Sequence, residues 1–200
     1  MNRPAILIDI GGVLVPNHLT AAVTEWSTQL GISPQAFLAA LFGGNDDQVL
    51  IGRTTEETWW NVVRDWRGIG PDLINAIRYD LASRETWDDA LVEGLRALRG
   101  SAKTAIVSNT WPQMRTRMAN AGLLDMVDAI VLSCEVGYAK PDPRIYAAAL
   151  QCLGARPAET LFIDDTPGHV ATARSLGMAG HVHTSTGDTL ARIQEFLPPD

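Results

Sequence analysis

Ala5-Ile6-Leu7-Ile8-Asp9-Ile10-Gly11-Gly12-Val13-Leu14 decides the fold of this chain of 200 residues. The apolar run breaks at a carboxylate and then at two glycines, the pattern of a buried strand that ends in a tight bend. An unpaired charge inside a parallel sheet is costly. Asp9 is therefore expected at the strand's carboxyl end, where open α/β sheets place their ligands. Gly11 and Gly12 let the backbone turn sharply toward whatever that carboxylate faces. Taken alone, Asp9 reads equally well as the start of an ordinary turn, so the downstream sequence has to decide.

Downstream, apolar runs predict strands at residues 103–108, 129–132 and 160–163, with a last short strand at or beside His181-Val182-His183. Helical patterns fall between and after them, at residues 87–98, 112–121, 144–153, 167–176 and 189–196. This alternation predicts an α/β fold, a Rossmann-like parallel sheet covered on both faces. Residues 16–84 differ, because they carry helical patterns and no convincing strand. One helix is expected at 19–30, stopped by Gly31. A second starts at Ser33-Pro34 and is closed by Gly43-Gly44-Asn45. A third is opened by a Thr54–Glu57 capping box and runs through Trp59, Trp60, Val63 and Trp66. A fourth runs from Pro71 to about residue 81. The expected division is a core of residues 1–15 and 85–200, with residues 16–84 as a helical cap inserted after the first strand and lying above Asp9.

Composition narrows the function classes. Hydrophobic residues at 46% and charged residues at 20% suit a soluble globular chain. A net charge of −7 argues against a nucleic-acid backbone or an anionic membrane as the main partner. Cys134 and Cys152 have neither CxxC nor metal spacing and suit a reducing compartment. The amino-terminal residues run into the first strand without a signal-peptide apolar stretch, and no segment reaches the length of a membrane span. A cytoplasmic protein is expected.

Three further strand ends carry polar residues: Ser108-Asn109-Thr110, Lys140-Pro141-Asp142-Pro143 before a helix, and Asp164-Asp165-Thr166-Pro167-Gly168. In a parallel sheet these ends share one edge and can converge on Asp9. Asp9, Asp164 and Asp165 supply hard oxygen ligands suited to Mg²⁺. Without a cation such crowded carboxylates repel one another. Lys140 adds a fixed positive charge, and Ser108 a hydroxyl able to hold an oxyanion. A carboxylate nucleophile in that company suits phosphoryl transfer. Each piece has an ordinary explanation as a cap, a solvated lysine or a helix start. The ordered set of four carries the information.

That order resembles the haloacid dehalogenase (HAD) superfamily of hydrolases, over essentially the whole chain. Asp9 in DIGGVL is similar to the family's nucleophile motif, Ser108 in VSNT to the second motif and Lys140 in YAKPDPRIY to the third. Asp164 and Asp165 in FIDDTPGHVATARSLGM are similar to the fourth, and the helical insertion stands in the position of a C1-type cap. SCEVGYAKPDPRIY and FIDDTPGH look most like two phosphatase branches, the bacterial sugar-1-phosphate phosphatases and the amino-terminal phosphatase domain of soluble epoxide hydrolase. The resemblance implies a Mg²⁺-dependent phosphatase of a small phosphorylated metabolite. Asp9 would form an aspartyl-phosphate that water hydrolyses. Mg²⁺ would be held by Asp9, the backbone carbonyl of Gly11 and Asp165, with Asp164 acting through water. Ser108 and Lys140 would bind the transferring phosphoryl oxygens, and Asn109 would add a donor.

Two positions depart from that pattern. Gly11 stands where the phosphatase motif usually has a second Asp as general acid and base, help worth about 10²–10⁴ in rate. Its absence is expected to favour acidic leaving groups such as sugar 1-phosphates, aryl phosphates or acyl phosphates. His169 stands where Asp or Asn commonly follows the acidic pair. It is read as a hydrogen bonder on or behind the site rather than a replacement proton donor, and His18 is a rival for that role. His181 and His183 lack a third ligand nearby and are read as structural. Trp59, Trp60 and Trp66 at helical spacing are read as cap core rather than a substrate stack, and Arg53 and Arg64 as solvated. Tyr138, just before Lys140, can reach either cap or substrate. Two other functions stay in view. A 2-haloacid dehalogenase uses the same nucleophile without metal, and the adjacent Asp164-Asp165 pair argues against it. A catalytically retired HAD domain would bind a ligand or protein through its cap.

Overall fold

The computed structural model describes residues 3–16, 19–42 and 46–198, without the side chains of Phe42, Asp46, Asp47, Trp66 and Arg67. Ala5–Ile8 forms β1, and all four residues are buried. β1 is flanked on both sides, so neither face can be polar. The other strands are β2 (Lys103–Ser108), β3 (Ala129–Leu132), β4 (Thr160–Asp164) and β5 (Ala179–Val182). They form one sheet in the order β3-β2-β1-β4-β5, and every neighbouring pair is parallel. Ile8 lies opposite Ile106 on one side and Ile163 on the other. That register brings the residues just beyond β1, β2 and β4 to the same sheet edge.

Between β1 and β2 run α1 (Leu19–Leu30), α2 (Pro34–Phe42), α3 (Asp46–Leu50), α4 (Glu56–Arg67), α5 (Pro71–Ser83) and α6 (Asp89–Ala97). The first five pack around a core of their own, which includes Val23, Leu41, Val49, Trp59, Trp60 and Ile77. The chain leaves the sheet at Leu14 and returns beside it, where the Asp88 amide donates to the Leu14 carbonyl at 2.8 Å. The helical block thus hangs from two adjacent strands of backbone. Arg84 ties its ends by pairing with Glu25 of α1 and, at 2.9 Å, with Asp80 of α5.

The remaining helices are α7 (Met114–Asn120), α8 (Ser133–Val136), α9 (Pro143–Leu153), α10 (Pro167–Ser175) and α11 (Thr186–Phe196). Alternation along the strands assigns them to two faces. Ile6, Ile8, Ile106 and Ile163 pack with Leu91, Leu95, Met118 and Ile193 of α6, α7 and α11. Leu7, Ala105, Val107 and Phe162 pack with Tyr146, Ala149, Val170 and Ala173 of α9 and α10. Each large apolar side chain buried this way contributes about 1.5–3 kcal/mol.

Several boundaries differ from those the sequence predicts. Thr55, not Thr54, caps α4, accepting the Thr58 amide at 3.1 Å, while the Thr54 amide bonds back to Gln48. α11 starts at Thr186 because Ser185 caps it. α3 and α8 have five and four residues, too few to show a helical period. Gly43-Gly44-Asn45 and His18 lie outside the described residues. Among the described residues no helix is long and apolar enough to cross a membrane.

Candidate active site

Asp9 extends the ladder one residue past β1, its amide donating to the Ile163 carbonyl at 3.0 Å. Asp164 ends β4 on the neighbouring strand. Strand order reverses about β1, so these two carboxylates flank the crevice where open α/β sheets bind ligands. Both are buried, and both need a partner. Lys140, in the loop between α8 and α9, provides it. Its Nζ lies 2.8 Å from Asp9 Oδ1 and 2.5 Å from Asp164 Oδ2. A lysine before proline is ordinarily solvated, yet only 4% of Lys140 is exposed.

Asn109, just beyond β2, fixes where Lys140 sits. Its Nδ2 donates to the Lys140 carbonyl at 2.8 Å, and its Oδ1 accepts the Lys140 amide at 2.6 Å. The expected donation from Asn109 to a ligand is thus joined by a second task, although Nδ2 retains one further hydrogen. Next along, the Thr110 amide donates to the buried Ser133 hydroxyl at 3.0 Å. Ser108 ends β2 and is buried against Asp9.

His169, on α10, directs Nδ1 at the Asp164 carboxylate, 3.0 Å from Oδ1 and 3.1 Å from Oδ2. The Thr166 amide is the third donor to this carboxylate, reaching Oδ1 at 2.8 Å. His169 thus acts on the carboxylate from behind, and its own carbonyl is held by the Tyr146 hydroxyl at 3.0 Å. Charge follows this geometry. Burial pushes the Asp9 carboxyl above its ordinary range despite Lys140, and the Asp164 charge adds to the rise. Burial pushes Asp164 the same way, but its hydrogen bonds from His169, Lys140 and Thr166 prevail and hold it below that range.

Asp165 is exposed, and its Oδ1 accepts the Thr166 hydroxyl at 3.2 Å. Oxygen atoms of Asp9, Asp164 and Asp165 all lie within 4.8 Å of one another. Three clustered carboxylates, with one cation placed on only two of them, suit a hard oxygen-ligated ion. The loop after β1 is shaped to admit them. A Cβ on Gly12 would fall 2.1 Å from Asp165 Oδ2, and Gly12 has φ +73°. A Cβ on Gly11 would meet nothing within 4 Å. Gly11, Gly12, Ser108, Asn109 and Asp165 border a cavity of about 250 Å³. A second, of about 300 Å³, lies between the sheet edge and the helical block.

Other predicted features resolve more simply. His181 Nε2 and His183 Nδ1 share the Thr189 hydroxyl at 3.1 and 2.8 Å, a structural arrangement. Trp59 and Trp60 are buried in the block's core, though Trp60 also borders the larger cavity. Trp66 has its side chain outside the described residues. Arg64 pairs with Asp65, and the Tyr138 ring lies under the Arg144 guanidinium at 3.9 Å. Sequence reasoning missed Trp111, which follows β2 and packs against Trp59 with ring centroids 4.4 Å apart and tilted by 51°, and Glu56, which is buried.

Comparison with known proteins identifies the family. Residues 4–177 match the family model of haloacid dehalogenase-like hydrolases. A protein of Mycobacterium tuberculosis named Phosphatase MT3486 is 33% identical over 94% of this chain and 91% of its own length. Bifunctional epoxide hydrolase 2 of Sus scrofa is 29% identical over 96% of this chain, which spans only 38% of that longer protein. Among solved structures, a HAD family enzyme of Bacteroides thetaiotaomicron in complex with magnesium and inorganic phosphate superposes with a TM-score of 0.70. It is 23% identical, with 92% of this chain and 95% of that one covered. The chain belongs to the haloacid dehalogenase-like hydrolases. Its architecture is a five-stranded parallel sheet with helices on both faces.

Proposed function

We propose that the protein is a Mg²⁺-dependent phosphatase of a small phosphorylated metabolite, with Asp9 as nucleophile. The observation that carries this reading is Lys140 Nζ set between Asp9 and Asp164, with Asp165 beside them at the mouth of a cavity. Asp9, the Gly11 carbonyl and Asp165 would hold the ion. The Asp164 oxygens are already engaged by Lys140, His169 and Thr166, which supports a role through water. When bound, the ion supplies charge neutralisation for the phosphoryl oxygens.

Asp9 attacks phosphorus through a carboxylate oxygen, the ester P–O bond breaks, and an aspartyl-phosphate forms. Lys140 and Ser108 hold the phosphoryl oxygens, and Asn109 keeps Lys140 in place. Water then attacks phosphorus and releases phosphate, restoring Asp9. Gly11 gives the departing oxygen no proton, so acidic leaving groups such as sugar 1-phosphates or aryl phosphates are favoured. We assign residues 16–84 to a cap over this site, residues 1–15 and 85–200 to the core, and the protein to the cytoplasm, where its two free cysteines stay reduced.

The test is release of nitrophenol from p-nitrophenyl phosphate with Mg²⁺ or EDTA, in the wild type and in Asp9→Asn. Metal-dependent turnover that vanishes in the variant is expected. Metal-free chloride release from 2-chloropropionate would instead make the protein a dehalogenase, and silence in both assays would favour a binding role.

A further inference from the structure

Within the helical block, one buried group lacks what every buried group at the sheet edge has. Glu56 opens α4 and is 6% exposed. Its Oε1 accepts the Trp60 indole N–H at 3.2 Å and lies 3.9 Å from Arg117 Nη2. Its Oε2 is buried and, among the described residues, has no hydrogen-bond partner, and no other buried side-chain nitrogen or oxygen there shares that condition. Buried acceptors are normally satisfied, so this one implies a donor that arrives from outside.

The larger cavity supplies the place. Glu56, Trp60 and Arg117 border it together with the apolar Leu81, Trp111 and Met114. Its two arginines are already engaged, Arg117 with Glu85 at 2.7 Å and Arg78 with Glu57 at 2.9 Å. Asn109, Thr110 and Met114 border this cavity and also the one at Gly11, Ser108 and Asp165. The two spaces therefore adjoin across these residues. An ester with its phosphorus at Asp9 would have the space beyond Met114, on the side of Glu56, for its leaving group.

We infer that Glu56 is the specificity residue of a leaving-group pocket, and that the substrate is a phosphate monoester carrying a hydrogen-bond donor, an ammonium or a hydroxyl, on a flat apolar body. The inference rests on the phosphatase reading for its phosphoryl end only. Trp60 and Trp111, whose rings meet edge to face at 6.0 Å, form one wall against the body, and Glu56 Oε2 takes the donor. A cationic donor makes the stronger bond to a carboxylate.

Benzylphosphonates, which cannot be hydrolysed, separate binding from chemistry. Titration calorimetry on the wild-type protein with Mg²⁺ would compare para-aminoethyl, para-hydroxyethyl and para-ethyl benzylphosphonate. Both donors are expected to bind more tightly than the ethyl compound, the amine by about tenfold, a difference of about 1.4 kcal/mol. Glu56→Leu is expected to erase the preference for both donors, and Glu56→Gln, which puts an N–H where the free oxygen was, to erase that for the amine, which cannot accept a hydrogen bond. Equal affinities in the wild type, no binding at all, or a preference that survives both variants would overturn the inference, and the wild-type comparison stands even where a variant does not fold. Turnover of the matching aryl phosphates is measured in parallel. A preference without turnover removes the phosphatase reading and keeps the pocket, whereas turnover without a preference does the reverse.

Discussion

The sheet edge and the helical block solve the problem of buried charge in opposite ways. At the edge, Asp9 and Asp164 share Lys140, and Asp164 takes further donors from His169 and the Thr166 amide. In the block, Glu56 is buried to a similar degree and keeps one oxygen unmatched. A cluster held by several donors is rigid, and under the proposed function it would meet the same phosphoryl group in every substrate. An unmatched acceptor is tolerable where a ligand completes it.

Removing Lys140 breaks the first half of that contrast and should have the largest effect. Lys140→Met leaves Asp9 and Asp164 facing each other without their shared cation. Breaking a buried pair by deleting one partner costs about 3–5 kcal/mol. Urea unfolding in EDTA should show a loss of that order, together with loss of activity. Saturating Mg²⁺ should return part of the stability, since a ligand at about 100 times its Kd adds about 2.7 kcal/mol. An unchanged unfolding midpoint would mean that Lys140 is not what holds the two carboxylates.

The two regions were also unequally legible in the sequence. Strands buried on both faces read as unbroken apolar runs, so Asp9, Ser108 and Asp164 announced themselves as the points where those runs stop. Lys140 had no such signal: its place came from motif order, and its burial depends on Asn109 gripping its backbone from 31 residues away. Glu56 was harder still. The Thr54–Glu57 capping box expected there draws attention away from Glu56, and only contacts with Trp60 and Arg117 show that Glu56 faces inward while Glu57 pairs outward with Arg78. Trp111 precedes Pro112 in a stretch without periodicity, so nothing local marks it as the residue that docks on Trp59. Short elements such as α3 and α8 were invisible for the same reason.

Gly11 offers a gain of function. Its neighbour Gly12 is locked by a positive φ and by Asp165, but Gly11 has neither constraint. Gly11→Asp should therefore fold and place a carboxyl beside the cavity that Gly11 borders. If the missing proton donor limits turnover of alkyl phosphates, the variant should raise their kcat/KM by about 10², the lower end of what general acid help provides, and change aryl phosphates little. Steady-state kinetics on an aryl and an alkyl ester compares the two. Equal, unchanged ratios in wild type and variant would show that leaving-group acidity is not what this site selects.

His169 gives the smallest effect and the finest measure of how complete the sheet-edge cluster is. It is a positioning residue, since it reaches the site only through Asp164. His169→Ala removes a hydrogen bond to a buried carboxylate, worth about 1.5–3 kcal/mol. Lys140 and the Thr166 amide remain on the same group, which places the loss at the low end, about tenfold in kcat/KM on an aryl phosphate. A role through Asp164 also predicts a modestly weaker apparent affinity for Mg²⁺ in the same variant, because the carboxylate that would act on the ion through water has lost part of its support. The pH–rate profile should keep its shape, since no proton moves through the imidazole. A changed profile would instead make His169 a proton donor, and the cluster would then be working on the leaving group as well as on the phosphoryl end.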